Sequence, residues 1–242
     1  MKTCLFALLL MLVTLPSSAN QRIRFASSAT YPPFEYLNAD NQIIGFDIDL
    51  AKALCQQMKA HCTFVNNPFN TLLEGLKYHR YDAVISGLDI TEERSKTVSF
   101  TSPYYENAAV VLASQGRFSS LQQMKGKRLG VETGTTHQTY FQQHYPDIIA
   151  VPYDSYINAM LDLQNQRLDG VVGDVAAASQ WRKAHPDLAV VGQQLTDDKY
   201  FSGMAIAVRQ DNNALRERFN TALAALEENG TLEALRKQWF PD

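Results

Sequence analysis

Arg94, Asp89 and Asp174 are the residues of this sequence whose types combine most directly into chemistry. A guanidinium is always charged, and its planar fork matches a carboxylate through two hydrogen bonds. A carboxylate accepts from an ammonium. An α-amino acid carries both partner groups on one carbon, so this set suits a zwitterion. Gly134-Thr135-Thr136 opens a helical stretch, whose free N–H groups offer a second place for an anion. Tyr31 and Phe69 present aromatic faces that attract a cation and pack an aliphatic stem. Taken singly, each has a plainer role: a surface ion pair for Arg94, core packing for either ring. Tyr31, between Thr30 and Pro32, lies in a segment too turn-like for a core strand. No Ser-His-Asp set and no metal-spaced cluster appears, so no catalytic residue, metal or cofactor is expected.

These residues need a frame that brings them together. Ile23 to Ser27 reads as a strand. Asp47 to Met58 reads as a helix, with Phe46, Leu50, Leu54 and Met58 forming one apolar face. Thr63 to Asn66 is a strand, Thr71 to Tyr78 a helix, and Ala83 to Ser86 a buried strand. This β-α-β-α-β order predicts a parallel sheet covered on both faces. The pattern restarts with a strand at Arg128 to Glu132 and a helix at Thr136 to His144. A strand at Ala150 to Pro152, a helix at Ser155 to Gln164, a strand at Gly170 to Gly173 and a helix at Val175 to Ala184 follow. Helices at Asn213 to Asn229 and Leu232 to Trp239 close the chain.

A short internal similarity supports two equivalent halves. Leu76 to Gly87 and Leu163 to Asp174 share a helix end, an Arg (Arg80, Arg167), an apolar residue, an Asp (Asp82, Asp169) and a buried strand. The apolar stretch Ala108 to Ala113 is expected to link the halves, and Gly203 to Val208 to return the chain. The fold class is therefore α/β with two lobes joined by two crossing strands. Lobe 1 is 22–107 plus 204–242, and lobe 2 is 108–203. Ligands of open α/β sheets bind beyond the carboxyl ends of the strands. In lobe 1 those ends carry Ser28 to Phe34 and Gly87 to Arg94. In lobe 2 they carry Glu132 to His137 and Asp174. Asp47 and Asp49 fall in the first turn of a helix, where carboxylates suit the macrodipole; capping and fold support are expected of them.

The bulk properties set the compartment. Lys2, an apolar run from Leu5 to Leu15 and the small residues Ser17-Ser18-Ala19 form the three-part pattern of a signal peptide, with cleavage after Ala19. The run is too short to span a membrane, which takes about 20 residues. The 242 residues carry 22 basic and 25 acidic side chains, for a net charge of −3, without a basic stripe, so no nucleic-acid partner is expected. Of the three cysteines, Cys4 leaves with the signal. Cys55 and Cys62 remain in an oxidising compartment and are expected to form a disulfide.

Several motifs together resemble the periplasmic polar amino-acid-binding proteins of ABC transporters (solute-binding protein family 3). They are Gly45-Phe46-Asp47-Ile48-Asp49-Leu50 with Ala53 and Leu54, Tyr31-Pro32-Pro33-Phe34, Ile90-Thr91 with Arg94, and Phe100 to Tyr105. Gly134-Thr135-Thr136, Asp174 and Trp239-Phe240-Pro241 continue the pattern over essentially the whole mature chain. The arginine-binding members are the most similar. The resemblance implies a Venus-flytrap fold, capture of L-arginine or another basic amino acid in the periplasm, delivery to an inner-membrane ABC permease, and a monomer. It implies that Arg94 holds the ligand carboxylate, helped by N–H groups near Gly87 and Thr136. Asp174 and Asp89 take the α-amino group, Ser86 contacts the ligand, and Tyr31 and Phe69 stack on its side chain. Members that bind lysine, ornithine and histidine often carry an Asp where this chain has Ser28. The distal charge must then be met elsewhere, by Glu132, His137 or Glu35.

Two other functions fit the same scaffold. A dehydratase acting on cyclic acids would need a general acid, which Glu132 or His137 would supply. A sensor would hand ligand state to a membrane receptor in trans.

Overall fold

The computed structural model describes residues 21–241. The expected signal peptide, 1–19, lies outside the described residues. Among the described residues no helix is long and apolar enough to cross a membrane.

Lobe 1 opens with β1 (Arg22–Ser27), then a small sheet of β2 (Thr30–Tyr31), β3 (Glu35–Leu37) and β4 (Ile43–Ile44). It continues through α1 (Phe46–Gln57), β5 (His61–Asn66), a 3-10 turn at Phe69–Thr71, α2 (Leu72–Lys77), β6 (Ala83–Val84), α3 (Glu92–Ser95) and β7 (Val98–Phe100). The second group is β8 (Ala109–Ser114), β9 (Arg128–Glu132), α4 (Thr136–His144), β10 (Ile149–Tyr153), α5 (Tyr156–Gln164), β11 (Gly170–Asp174), α6 (Val175–Ala184) and β12 (Leu188–Leu195). The chain returns through β13 (Ala207–Arg209) to α7 (Asn213–Glu228) and α8 (Thr231–Trp239).

The two large sheets have one topology. Lobe 1 runs β5-β1-β6-β13-β7 and lobe 2 runs β10-β9-β11-β8-β12. The first three strands of each are parallel, and the fourth runs antiparallel to both of its neighbours. The parallel order expected of the first three strands is thus present in each sheet, and the fourth strand adds antiparallel pairing. The fourth strand in each sheet is the one adjoining a crossing segment, and it enters from the opposite direction. Both faces of each sheet are buried, so neighbouring residues of one strand feed different cores. In β1, Phe25 packs with Leu50, Leu54 and Phe219, while Ala26 packs with Leu72 and Leu76. In β8, Val110 and Leu112 face one core and Ala109, Val111 and Ala113 the other.

That double burial explains why Ala108 to Ala113 is uninterruptedly apolar. It is a central strand of lobe 2, not the linker expected from sequence. The crossing lies just before it. Tyr105 and Met204 form an antiparallel bridge, with the Tyr104 N–H donating to the Met204 carbonyl at 2.8 Å and the Met204 N–H to the Tyr105 carbonyl at 2.9 Å.

The internal similarity has a physical counterpart. The Asp82 N–H donates to the Arg24 carbonyl, and its Oδ2 accepts from the Arg24 N–H at 2.9 Å. Asp169 makes the same pair with Arg128, its Oδ2 accepting at 2.8 Å. Each aspartate fastens the start of its strand to the neighbouring one.

The disulfide Cys55–Cys62 is present and ties the end of α1 to β5, with Cα atoms 6.1 Å apart. Asp47 and Asp49 support the fold, but not by capping. Gly45 is the N-cap of α1 and no side chain caps it. Asp49 Oδ2 instead accepts from Trp239 Nε1 at 3.1 Å. Asp47 Oδ2 accepts from the Gly87 N–H at 2.7 Å and the Tyr104 hydroxyl at 2.9 Å.

Candidate functional site

Between the lobes lies a small cavity lined by polar and aromatic side chains from both. Ser28, Tyr31, Phe69, Ser86, Gly87, Asp89, Arg94, Glu132, Thr136, His137 and Asp174 all line it, as does Glu35. The sequence had pointed to each of them. Tyr156 and Thr135 line it too.

Arg94 sits in the short helix α3, whose N-cap Thr91 accepts from the Arg94 N–H at 3.1 Å. Its guanidinium donates to the Asp89 carbonyl at 2.7 Å and, from the other lobe, to the Gly134 carbonyl at 3.2 Å. It lies over the Phe69 ring, 5.6 Å from the centroid. Burial lowers its pKa, opposed by the charges of Asp89 and Asp174. The lobes meet tightly here. Gly134 has φ +83°, and a Cβ on it would come within 3.1 Å of Asn70. Only glycine combines that backbone with that approach.

The acids form a second group. Asp89 and Asp174, from opposite lobes, are bridged by Asn107, whose Nδ2 lies 2.9 Å from Asp89 Oδ1 and 2.8 Å from Asp174 Oδ1. Thr136 Oγ1 donates to Asp89 Oδ2 at 3.2 Å. The Tyr31 hydroxyl donates to Asp174 Oδ2 at 2.8 Å, so Tyr31 braces the two lobes as well as walling the cavity. Its ring stacks on Tyr156 at 5.1 Å. Burial, then the charge of Asp174, pushes the Asp89 carboxyl up to about 7. An ammonium beside Asp89 would favour its charged form.

His137 is committed to the protein. Its Nε2 lies 3.1 Å from Asp174 Oδ1 and its Nδ1 2.8 Å from the Tyr156 hydroxyl. With both ring nitrogens partnered, it has no nitrogen left to exchange a proton with a bound molecule. The expected anion-binding turn is also partly used. The Gly134 N–H donates to Gln138 Oε1 at 2.9 Å and the Thr135 N–H to the Glu132 carbonyl at 3.4 Å, leaving that of Thr136. Gly87 lines the cavity, but its N–H goes to Asp47 and not inward.

Sequence reading missed Asn107. It is an uncharged residue in an irregular segment, and only its place at the crossing, beside both aspartates, marks it. Tyr156 was not singled out within the helix expected at Ser155 to Gln164, although a tyrosine hydroxyl there calls for a partner.

Two lobes closed over a polar cavity define a ligand-capturing binding protein. Residues 23–242 match the bacterial extracellular solute-binding proteins, family 3, and the chain belongs to that family. It is 54% identical over 242 residues to ABC transporter arginine-binding protein 1 of Escherichia coli (strain K12), covering 100% of each chain. It is 39% identical over 212 residues to the arginine-binding periplasmic protein of Mannheimia haemolytica, covering 87% of this chain and 88% of the other. A solved periplasmic binding protein of Salmonella typhimurium, described as having high arginine specificity, superposes with a TM-score of 0.89 at 44% identity, over 91% of this chain and 99% of that one. Each of these relatives is named as a binding protein.

Proposed function

We propose that the protein captures L-arginine in the periplasm, between lobe 1 (22–107 plus 204–242) and lobe 2 (108–203), and delivers it as a monomer to an inner-membrane ABC permease. One observation carries the ligand: the cavity sets a single guanidinium, Arg94, against Asp89, Asp174 and Glu132. Arg94 and one acid suffice for the carboxylate and ammonium of any amino acid. The remaining acidity asks for a second positive charge, on the side chain. Lysine, ornithine and histidine meet that demand less completely than a guanidinium with its five donors. The names of the arginine-binding relatives point the same way.

Arg94 takes the α-carboxylate, with the Thr136 N–H. Asp89 and Asp174 take the α-ammonium, and Phe69 and Tyr31 flank the side chain. Ligand favours closure because only the closed lobes bring both charge sets to it. Calorimetry on protein stripped of ligand, across a panel of amino acids, tests this. Arginine should bind tightest, and tighter glutamine or glutamate would sink the specificity. N-terminal sequencing of exported protein should begin at Asn20. Reconstituted permease should take up arginine only with this protein present.

A further inference from the structure

We propose that Glu132 is the residue that selects a cationic side chain, its carboxylate accepting from the distal nitrogens of the ligand. This rests on the arginine reading above and goes beyond it, since Glu35 and His137 compete for the role. His137 has both nitrogens occupied. Glu35 is 1% exposed and turned to the protein. Its Oε1 accepts from the Ser86 hydroxyl at 2.9 Å. Its Oε2 and Asp47 Oδ1 are both without a conventional partner, and the two carboxyls lie within hydrogen-bonding reach of each other. Two such oxygens are satisfied together by one proton between them. Burial and the neighbouring Asp47 charge hold Glu35 well above the usual carboxylate range, so Glu35 carries that proton. It is then a neutral acid bonded to Asp47 and Ser86.

Glu132 differs in its partners, for no side chain of the described residues bonds to it as Ser86 and Asp47 do to Glu35. It is 3% exposed, and its Oε1 has no hydrogen-bond partner among the described residues. No Lys or Arg among them pairs with it. Burial, then the negative charges of Asp154 and Asp174, raise its carboxyl to about 8, so a cation beside it is needed to hold it ionised at neutral pH. A buried acceptor with no donor is rare in proteins. Facing a cavity, it implies that the ligand brings the donor.

Citrulline separates charge from shape, because a neutral ureido group replaces the guanidinium. Affinities for arginine and citrulline are to be measured by calorimetry on the ligand-stripped chain and on Glu132→Gln, Glu132→Asp and Glu35→Gln. The unsubstituted protein should prefer arginine. Glu132→Gln should weaken arginine by about 30-fold or more, as loss of a buried charged partner does, and bring the two affinities close together. Glu132→Asp, which keeps the charge on a shorter stem, should retain part of the preference. Glu35→Gln should leave it intact. A preference that survives in Glu132→Gln, or collapses in Glu35→Gln, overturns the assignment. An unsubstituted protein that binds neither ligand defeats the arginine reading itself.

Discussion

Ser28 and Glu132 occupy equivalent positions in the two lobes. Each is the fourth residue beyond an arginine, Arg24 or Arg128, whose backbone an aspartate fastens in the same way. Each lies at the mouth of its sheet and lines the cavity. The carboxylate absent at Ser28 therefore stands in the other lobe, at the matching place. A near-symmetric scaffold can hold a ligand's charged end from either side, and in this chain the carboxylate at that place is in lobe 2.

Removing the guanidinium is expected to be the most damaging single change to binding. Arg94→Ala should cost about 2–5 kcal/mol of arginine affinity, because it also leaves the ligand carboxylate buried and unpaired. Arg94→Lys should recover little, since an ammonium lacks the planar fork. Calorimetry reads this directly. A loss below about threefold would place the carboxylate elsewhere.

Binding should release protons near neutral pH. Burial is the leading cause that raises Asp89 to about 7 and Glu132 to about 8. A cationic ligand beside them favours their charged forms. The complex then holds fewer protons than the free protein, so affinity should fall as the pH is lowered through that range. Calorimetry at pH 7 in buffers of different ionisation enthalpy measures the release. A slope of zero would mean that these acids do not touch the ligand.

Without ligand, the same two acids have a stability signature of fixed sign. Their folded values lie above the ordinary carboxylate range, so between about pH 4 and 8 the folded state binds more protons than the unfolded one. Stability falls as pH rises wherever that holds. The contribution is fully present near pH 4 and is lost through about 7 for Asp89 and about 8 for Glu132. Thermal melts of stripped protein should show a lower Tm at pH 8 than at pH 5.5. Saturating arginine should flatten or reverse that trend.

The disulfide should matter to stability and not to binding. Cys55 and Cys62 are seven residues apart in sequence, and closing so short a loop is worth about 2–3 kcal/mol. The paired Cys55→Ser and Cys62→Ser change should lower Tm by roughly 5–10 °C. Cys55 lies about 12 Å along α1 from Asp47, the residue of that helix that reaches the cavity wall. Arginine affinity should be unchanged, as melts and calorimetry on the same sample would show.

The elements that sequence revealed are those with one period throughout. Phe46, Leu50 and Leu54 disclosed α1 because all three are buried on one face. β12 escaped notice because its second half, beyond Val191, is irregular in register and largely exposed. The small sheet β2-β3-β4 escaped because two- and three-residue strands carry no period at all. Ala83 to Ser86 proved shorter as a strand, since Gly87 at φ +50° already turns the chain. At the site, charge and aromaticity marked the lining well. They did not disclose which polar groups the protein satisfies by itself. The N–H of Gly87, both nitrogens of His137 and the carboxyl of Glu35 are claimed by residues distant in sequence, Asp47, Tyr156 and Asp174 among them. Only the folded arrangement separates these from Glu132.

The placing of β13 between β6 and β7 has a consequence for the order of events when the chain is made. β7 pairs with β13 and with no other strand of its sheet. Synthesis runs from the N-terminus, so β7 emerges long before its partner and waits through the whole of lobe 2. Lobe 2 is continuous in sequence and can assemble at once. Lobe 1 must keep a gap in its sheet until Ala207–Arg209 arrives to fill it, and the lobe that begins first is the one finished last.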